Sequence, residues 1–211
     1  MTDFLPLFPL QLVVYPGENL NLHIFEPRYK QLIRECKDNL VTFGLPAFIN
    51  DKVMPIGTEL ELLDIEKQHP NGELDVKTKG IGLFKVEEYY SQAPNKLYPG
   101  ADISRLLLDD KFDISLNEDI LAHVKLLFKH LKIVKKLPKV AANFRIYDIA
   151  HYIGLDIKQE YDILTIPTEL ERQVFALNHL KGLIPMIENM ENSRERAQLN
   201  GHFKNIIPPQ V

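Results

Sequence analysis

The stretch FPLQLVVYPGENLNLHIFEPRYKQLI, Phe8 to Ile33, changes hydrophobic rhythm twice around the break Tyr15-Pro16-Gly17. Its first part, LQLVVY, is a short apolar run stopped by a Pro-Gly turn pair, the pattern of a strand. Past the turn, Leu20, Leu22 and Ile24 alternate with Asn21, His23 and Phe25, the period of two that a half-buried strand requires. Pro27 then suits the first turn of a helix, where its missing N–H is not needed. Tyr29, Leu32, Ile33 and Cys36 recur behind it at helical spacing. The stretch predicts strand, turn, strand, helix.

Working outward, VTFGL (41–45) reads as a short strand, and the clearest sheet signal follows in residues 57–90. Leu60 and Leu62, then Leu63 and Ile65 after a phase shift, lead into His69-Pro70-Asn71-Gly72. Asn71-Gly72 predicts a hairpin because both residues tolerate positive φ. Leu74 and Val76 resume the alternation, and Gly80 and Gly82 predict a bend or bulge before the strands LFKVEEYY and ADISRLLL. About six strands around one helix predict a curled sheet or partly closed barrel.

From Ser115 the rhythm becomes helical. Ser115 and Glu118 form a capping-box pattern ahead of Ile120, Val124, Leu127 and Leu131, a run that ends by Pro138. RIYDIAHYIG and IKQEYDILTI read as two shorter helices, the first closed by Gly154. A second capping box, Thr168 with Glu171, opens a helix carrying Leu170, Val174, Leu177, Leu180 and Ile184, with Pro185 predicting a kink or stop. The expectation is an α+β chain: a β-rich domain over 1–114, a helical bundle over 115–190 and a polar tail over 191–211.

The totals narrow the function. A chain of 211 residues with 45% hydrophobic content can bury a core, and a net charge of −4 argues against a surface built wholly for nucleic acid or an anionic membrane. The single cysteine, Cys36, cannot form an internal disulfide and reads as buried packing. No export signal and no span of membrane length is read, so a soluble cytoplasmic protein is expected.

Catalytic motifs are missing from the sequence. There is no Gly-Lys pair for a phosphate loop, no Gly-x-Ser-x-Gly elbow and no His-Glu-x-x-His pair. The glycines of KGIGLF lie inside a strand pattern, and the acidic pairs Glu87-Glu88 and Asp109-Asp110 are adjacent residues that diverge on regular structure. The seven histidines are dispersed; His123 and His130 share a helix pattern without further ligands near them. No catalytic residue, cofactor or metal is expected. One charge pattern stands out: Lys125, Lys129, Lys132 and Lys136 line one helix face at steps of four, three and four.

The residues Leu5–Ile33 resemble the start of the N-terminal substrate-binding domain of Lon proteases, in particular its stand-alone form. The resemblance rests on the Leu7-Phe8-Pro9-Leu10 entry, the Pro16-Gly17 turn and the run Ile24-Phe25-Glu26-Pro27-Arg28-Tyr29. It continues through residues 56–86 and more loosely into LERQVFALNHLKGLIPMI. At Gly82 the sequence departs from an arginine common in that family.

The resemblance implies a PUA-like β-domain followed by a helical bundle, and a module that binds unfolded or specific polypeptide clients. The ATPase and Ser-Lys protease modules of full-length Lon enzymes are not read here, so a non-enzymatic protein is expected, with a separate ATPase or protease as a possible partner. Phe25, Glu26, Arg28, Tyr29, Tyr89 and Tyr90 are the candidate peptide-binding residues: aromatics give large contact area at low entropic cost, and Arg28 can meet a carboxylate or carbonyl. Each also has a plainer reading, Phe25 and Tyr29 as core and Glu26 with Arg28 as the fastening of a helix start. The alternative function is RNA or ribonucleoprotein binding through the PUA-like fold and the lysine face. An enzyme using an interdomain cleft ranks last.

Overall fold

In the computed structural model, residues 3–133 and 143–202 are described. They fall into two compact units, one drawn from residues 3–111 and 145–172, the other from residues 112–133, 143–144 and 173–202.

The first unit is built on a six-stranded antiparallel sheet: β1 (Asp3–Pro6), β2 (Asn19–Ile24), β3 (Phe43–Ile49), β4 (Lys52–Gln68), β5 (Leu74–Tyr90) and β6 (Gly100–Leu106). The order is β1-β6-β5-β4-β3, and β2 pairs with β5. The sheet curls until its edges meet, because the chain leaving β1 bonds to both sides. Leu7 N donates to Pro99 O at 2.8 Å, and Phe8 N donates to Gly44 O of β3 at 2.8 Å. Closure removes unpaired edges that would otherwise invite association.

Gly80 and Gly82 flank a bulge, as their spacing predicts. Glu59 pairs with Gly82 and Leu60 with Gly80, leaving Ile81 as the extra residue. Before the bulge β5 pairs with β2 and after it with β6. The bend also admits the opening segment: Gly17 N donates to Gly80 O, and Gly80 N to Glu18 O, each at 2.8 Å. A Cβ on Gly80 would lie 2.5 Å from Tyr15 O.

Two local expectations are corrected here. LQLVVY is not a strand; it makes only one isolated bridge, Leu10 with Ala47, and the Val14 carbonyl is taken by the Thr58 hydroxyl instead of a ladder partner. The β4–β5 hairpin turns with Pro70 second in the turn, Gly72 N bonded to His69 O at 2.9 Å, and Gly72 alone at positive φ, 79°. Asn71 instead accepts from Glu73 N through its side chain at 3.2 Å.

Helix α1 (Pro27–Asn39) starts with Pro27 at its first turn and buries Tyr29, Leu32, Ile33 and Cys36 against Phe8, Val14, Phe43, Leu60, Leu74 and Val76. Each fully buried Leu or Ile there contributes about 1.5–3 kcal/mol. Burial pushes the Cys36 thiol up to about 12, which makes it an inert packing residue.

Residues 145–172 belong to the sheet's unit. Two single 3-10 turns (Ile146–Asp148 and Ala150–Tyr152), with Gly154 at φ 77°, lead into α3 (Ile157–Thr165), capped by Asp156. Tyr15 Oη donates to Glu160 O at 3.0 Å, and Tyr161 Oη accepts from Ile56 N at 3.1 Å.

The second unit contains α2 (Ile114–His130) and most of α4 (Glu169–His202). Its polar core is an amide cluster: Gln173 Nε2 donates to Asn117 Oδ1 at 2.6 Å and to Asp113 O at 2.8 Å, and Asn117 Nδ2 donates to Phe144 O at 2.8 Å. The cap of α2 is Asp113 rather than Ser115, its carboxylate accepting from Ser115 N and Leu116 N. The helix closes at His130, and Pro138 lies outside the described residues. At the start of helix α4 the Thr168 hydroxyl accepts from Glu171 N at 3.3 Å and donates to Glu171 Oε2 at 2.8 Å, which is half of the expected capping box, and the helix passes through Pro185 to His202, so 191–202 are helical. Leu170 and Val174 are exposed; Gln173, Ala176, Leu177, Leu180 and Ile184 face inward.

Candidate functional site

The joint between β2 and α1 delivers four of the six candidate residues. Ile24 ends β2 inside the core, so Phe25 points outward and is 60% exposed, its ring 6.3 Å from that of His23. Glu26 stands at the helix start with no side-chain cap bond. Its carboxylate instead accepts from Arg28 Nε at 2.9 Å and Nη2 at 2.8 Å, an exposed ion pair of small energetic weight.

Tyr29 is a core residue, stacked on Phe8 with ring centroids 3.9 Å apart. Arg28 covers its other side, with Cζ 4.5 Å from the ring centroid. Burial raises the Tyr29 phenol, and the Arg28 charge works against that rise. The same two influences act on Tyr89, so Arg28 lies within electrostatic reach of both phenols. Tyr89 is 42% exposed and lines an open groove of about 560 Å³ with Phe48, Val53, Met54, Pro55 and Val86. Tyr90, its neighbour on the strand, points the other way and donates to Asp102 Oδ2 at 3.1 Å. The structure therefore groups Glu26, Arg28, Tyr29 and Tyr89 and leaves Phe25 and Tyr90 apart from them.

Two apolar surfaces have no counterpart in the candidate list. Phe48, Val53 and Met54 of the Tyr89 groove are one. The other is a narrower hollow of about 240 Å³ between the end of α1 and β4, lined by Leu40, Val41, Leu62, Leu63 and Ile65 with Cys36 at its base. The signal for it was the phase shift at Leu63, which is a bulge: Leu62 pairs with Thr78 and Asp64 with Lys77, so Leu63 drops out of the ladder.

Of the four lysines, three lie among the described residues and two of these are on a helix. Lys125 and Lys129 are exposed on α2, Lys132 lies past the helix end at φ 53°, and Lys136 is outside the described residues. Among the described residues, one group carries the donor set for a metal ion: His23, His69 and Asp75, beside the β4–β5 hairpin. No helix among those residues is long and apolar enough to cross a membrane.

A family model described as the ATP-dependent protease La (LON) substrate-binding domain matches residues 4–197. The chain belongs to the LON substrate-binding domain family. Its fold is similar to the crystal structure of a Lon N-terminal domain protein from Xanthomonas campestris, with a TM-score of 0.66 at 22% identity, over 87% of this chain and 99% of that one. It is also similar to the N-terminal domain of the Mycobacterium avium complex Lon protease, with a TM-score of 0.61 at 12% identity, over 85% of this chain and 98% of that one. No curated protein matches. The α+β fold of a Lon N-terminal domain is thus established, and the RNA-binding alternative finds no support in these similarities or in the lysine positions.

Proposed function

We propose that this LON substrate-binding domain is a non-catalytic recognition module in the cytoplasm that captures unfolded or specific polypeptide clients, alone or for a separate ATPase or protease. The observation that carries this reading is the groove beside Tyr89, an apolar trough with Arg28 in electrostatic reach and Asp51 and Lys52 among its lining residues. A half-exposed aromatic beside aliphatic walls is suited to side chains of an extended segment, and an arginine held over a buried ring can meet a carbonyl or carboxylate. Tyr29 supports Arg28 from the core.

The test is a fluorescence-anisotropy titration of the chain against a permanently unfolded, uncleavable polypeptide, with single-stranded RNA in parallel at two salt concentrations. Saturable polypeptide binding that Tyr89→Ala weakens about 10-fold, worth ~1.4 kcal/mol, is expected. Arg28→Glu is expected to weaken it with unchanged thermal stability. Absence of saturable polypeptide binding, or salt-sensitive RNA binding alone, overturns the reading.

A further inference from the structure

His23 and Asp75 are 52 residues apart in sequence and face each other as cross-strand partners of β2 and β5. His69 joins them from the hairpin. His23 Nδ1 lies 2.6 Å from Asp75 Oδ1, and His69 Nε2 lies 2.8 Å from the other oxygen, Asp75 Oδ2. The two imidazoles meet edge to face, with centroids 5.6 Å apart at 80°. One donor atom from each of the three residues lies within 4.8 Å of the others.

We propose that His23, His69 and Asp75 form a binding site for one divalent transition-metal ion of the zinc class, with Glu73 holding the ring of His23. Two imidazoles are borderline donors, and with only one hard carboxylate beside them the set favours zinc, cobalt, nickel or copper over magnesium or calcium. A tetrahedral ion with bonds of about 2.0–2.2 Å needs its donors roughly 3.3 Å apart, an adjustment of an ångström or so for half-exposed side chains.

The surroundings add a feature that a chance surface cluster lacks. His23 Nε2 lies 3.1 Å from Glu73 Oε2, so while Nδ1 faces the site the other nitrogen is held by a carboxylate, the usual outer support of a metal-bound histidine. The scaffold is fixed by the ladder pair His23–Asp75, by His69 N donating to Glu73 O at 2.8 Å, and by the Gly72 turn. Facing cations are few: Lys30 is the one whose charge acts on Glu73, and His23 and His69 supply the rest. Three protein donors leave a fourth coordination position for water. Because His23 is followed by exposed Phe25 and then α1, a bound ion would tie the hairpin to the strand that positions that joint.

The full chain, stripped of metal, is titrated calorimetrically with zinc chloride, and with cobalt chloride monitored by visible absorption. One ion per chain is expected, with tetrahedral cobalt bands and a rise in melting temperature on zinc addition. His23→Ala and His69→Ala should each weaken binding at least ~10-fold, and Glu73→Gln about 10-fold. His130→Ala, a histidine between two other carboxylates in the second unit, should leave binding unchanged. No stoichiometric binding, or binding that survives both His23→Ala and His69→Ala in folded protein, overturns the proposal and leaves a hydrogen-bonded surface network only.

Discussion

The side chains of Glu169 and Arg172 are both wholly buried and meet at 2.7 Å. Every side-chain nitrogen and charged oxygen of the pair has a hydrogen-bond partner. The guanidinium donates to Ile166 O at 2.7 Å, Tyr147 Oη at 3.1 Å and Asp109 O at 3.1 Å, and Cζ sits 4.4 Å from the Tyr147 ring centroid. The remaining Glu169 oxygen accepts from Ile146 N at 2.6 Å. One ion pair thus fastens the segment after β6, the first 3-10 turn and the α3–α4 link.

Removing one partner strands the other charge without water. Arg172→Met is expected to destabilise the protein by about 3–5 kcal/mol, and Glu169→Gln by less because the amide keeps the shape and part of the bonding. The double variant Glu169→Gln, Arg172→Met should cost less than the sum of the two. Urea unfolding of the three variants checks this; additive losses would mean that the pair does not act as a unit.

Gly80 and Gly82 provide a matched comparison two residues apart. At Gly80 a methyl group would press on the Tyr15 carbonyl, a backbone group that cannot turn aside, whereas nothing lies within 4 Å of a Cβ on Gly82. Gly80→Ala is expected to cost about 1–3 kcal/mol and Gly82→Ala to stay within about 0.5 kcal/mol. Chemical denaturation decides it; equal losses at both positions would put the cost in the bulge rather than in the contact with Tyr15.

The same region shows what a sequence can and cannot disclose. The β2–α1 joint, the hairpin and the Gly80–Gly82 bulge were legible because their signals are local: a period, a turn pair, two glycines. Leu10–Tyr15 has the pattern of a strand but does not form one, because its partners lie far along the chain: the Pro46 and Phe48 backbone at Leu10 and the Thr58 side chain at Val14. On α4 the apolar spacing pointed to Leu170 and Val174, yet the inward face begins with Glu169, Arg172 and Gln173, polar residues that hydrophobic periodicity cannot select. Asp113 and Ser115 are equally good caps by type, and tertiary contacts through Gln173 decide between them. The return of residues 145–172 to the sheet rests on contacts such as Tyr15 to Glu160, 145 residues apart. For the candidate site, Arg28 and Tyr89 could be named from the sequence. Their groove could not, since the exposure of Phe48 and Met54 depends on how the sheet curls.

His151 predicts a pH dependence. Burial alone would lower its pKa, but hydrogen bonds donated by the ring to Glu160 at 2.8 Å and Glu18 at 3.2 Å outweigh that and raise it to about 9. The Tyr15 ring also faces it, 4.8 Å away. A histidine whose folded pKa exceeds its unfolded value of about 6.5 contributes stability that is complete below pH 6.5 and lost as pH rises through 9. With screening by water the loss should be about 1–2 kcal/mol. Stability measured from pH 6 to pH 10 should show this slope, and His151→Gln should flatten it; an unchanged slope in the variant would assign it to other groups.

Leu40 closes α1 in the left-handed region at φ 52° while its side chain is 93% exposed. Both features are unfavourable for a leucine, and glycine is the ordinary residue at such a helix end. Leu40→Gly should therefore stabilise the fold by about 1 kcal/mol, read as a higher urea midpoint at unchanged slope. In the proposed capture of polypeptide, Leu40 beside exposed Val41 and Leu63 offers a second apolar contact in the hollow they line. The same variant should then bind the unfolded polypeptide several-fold more weakly than wild type despite its greater stability. Higher stability with unchanged affinity would confine binding to the Tyr89 groove, and a loss of stability would show that Leu40 is held in place by contacts its exposure does not reveal.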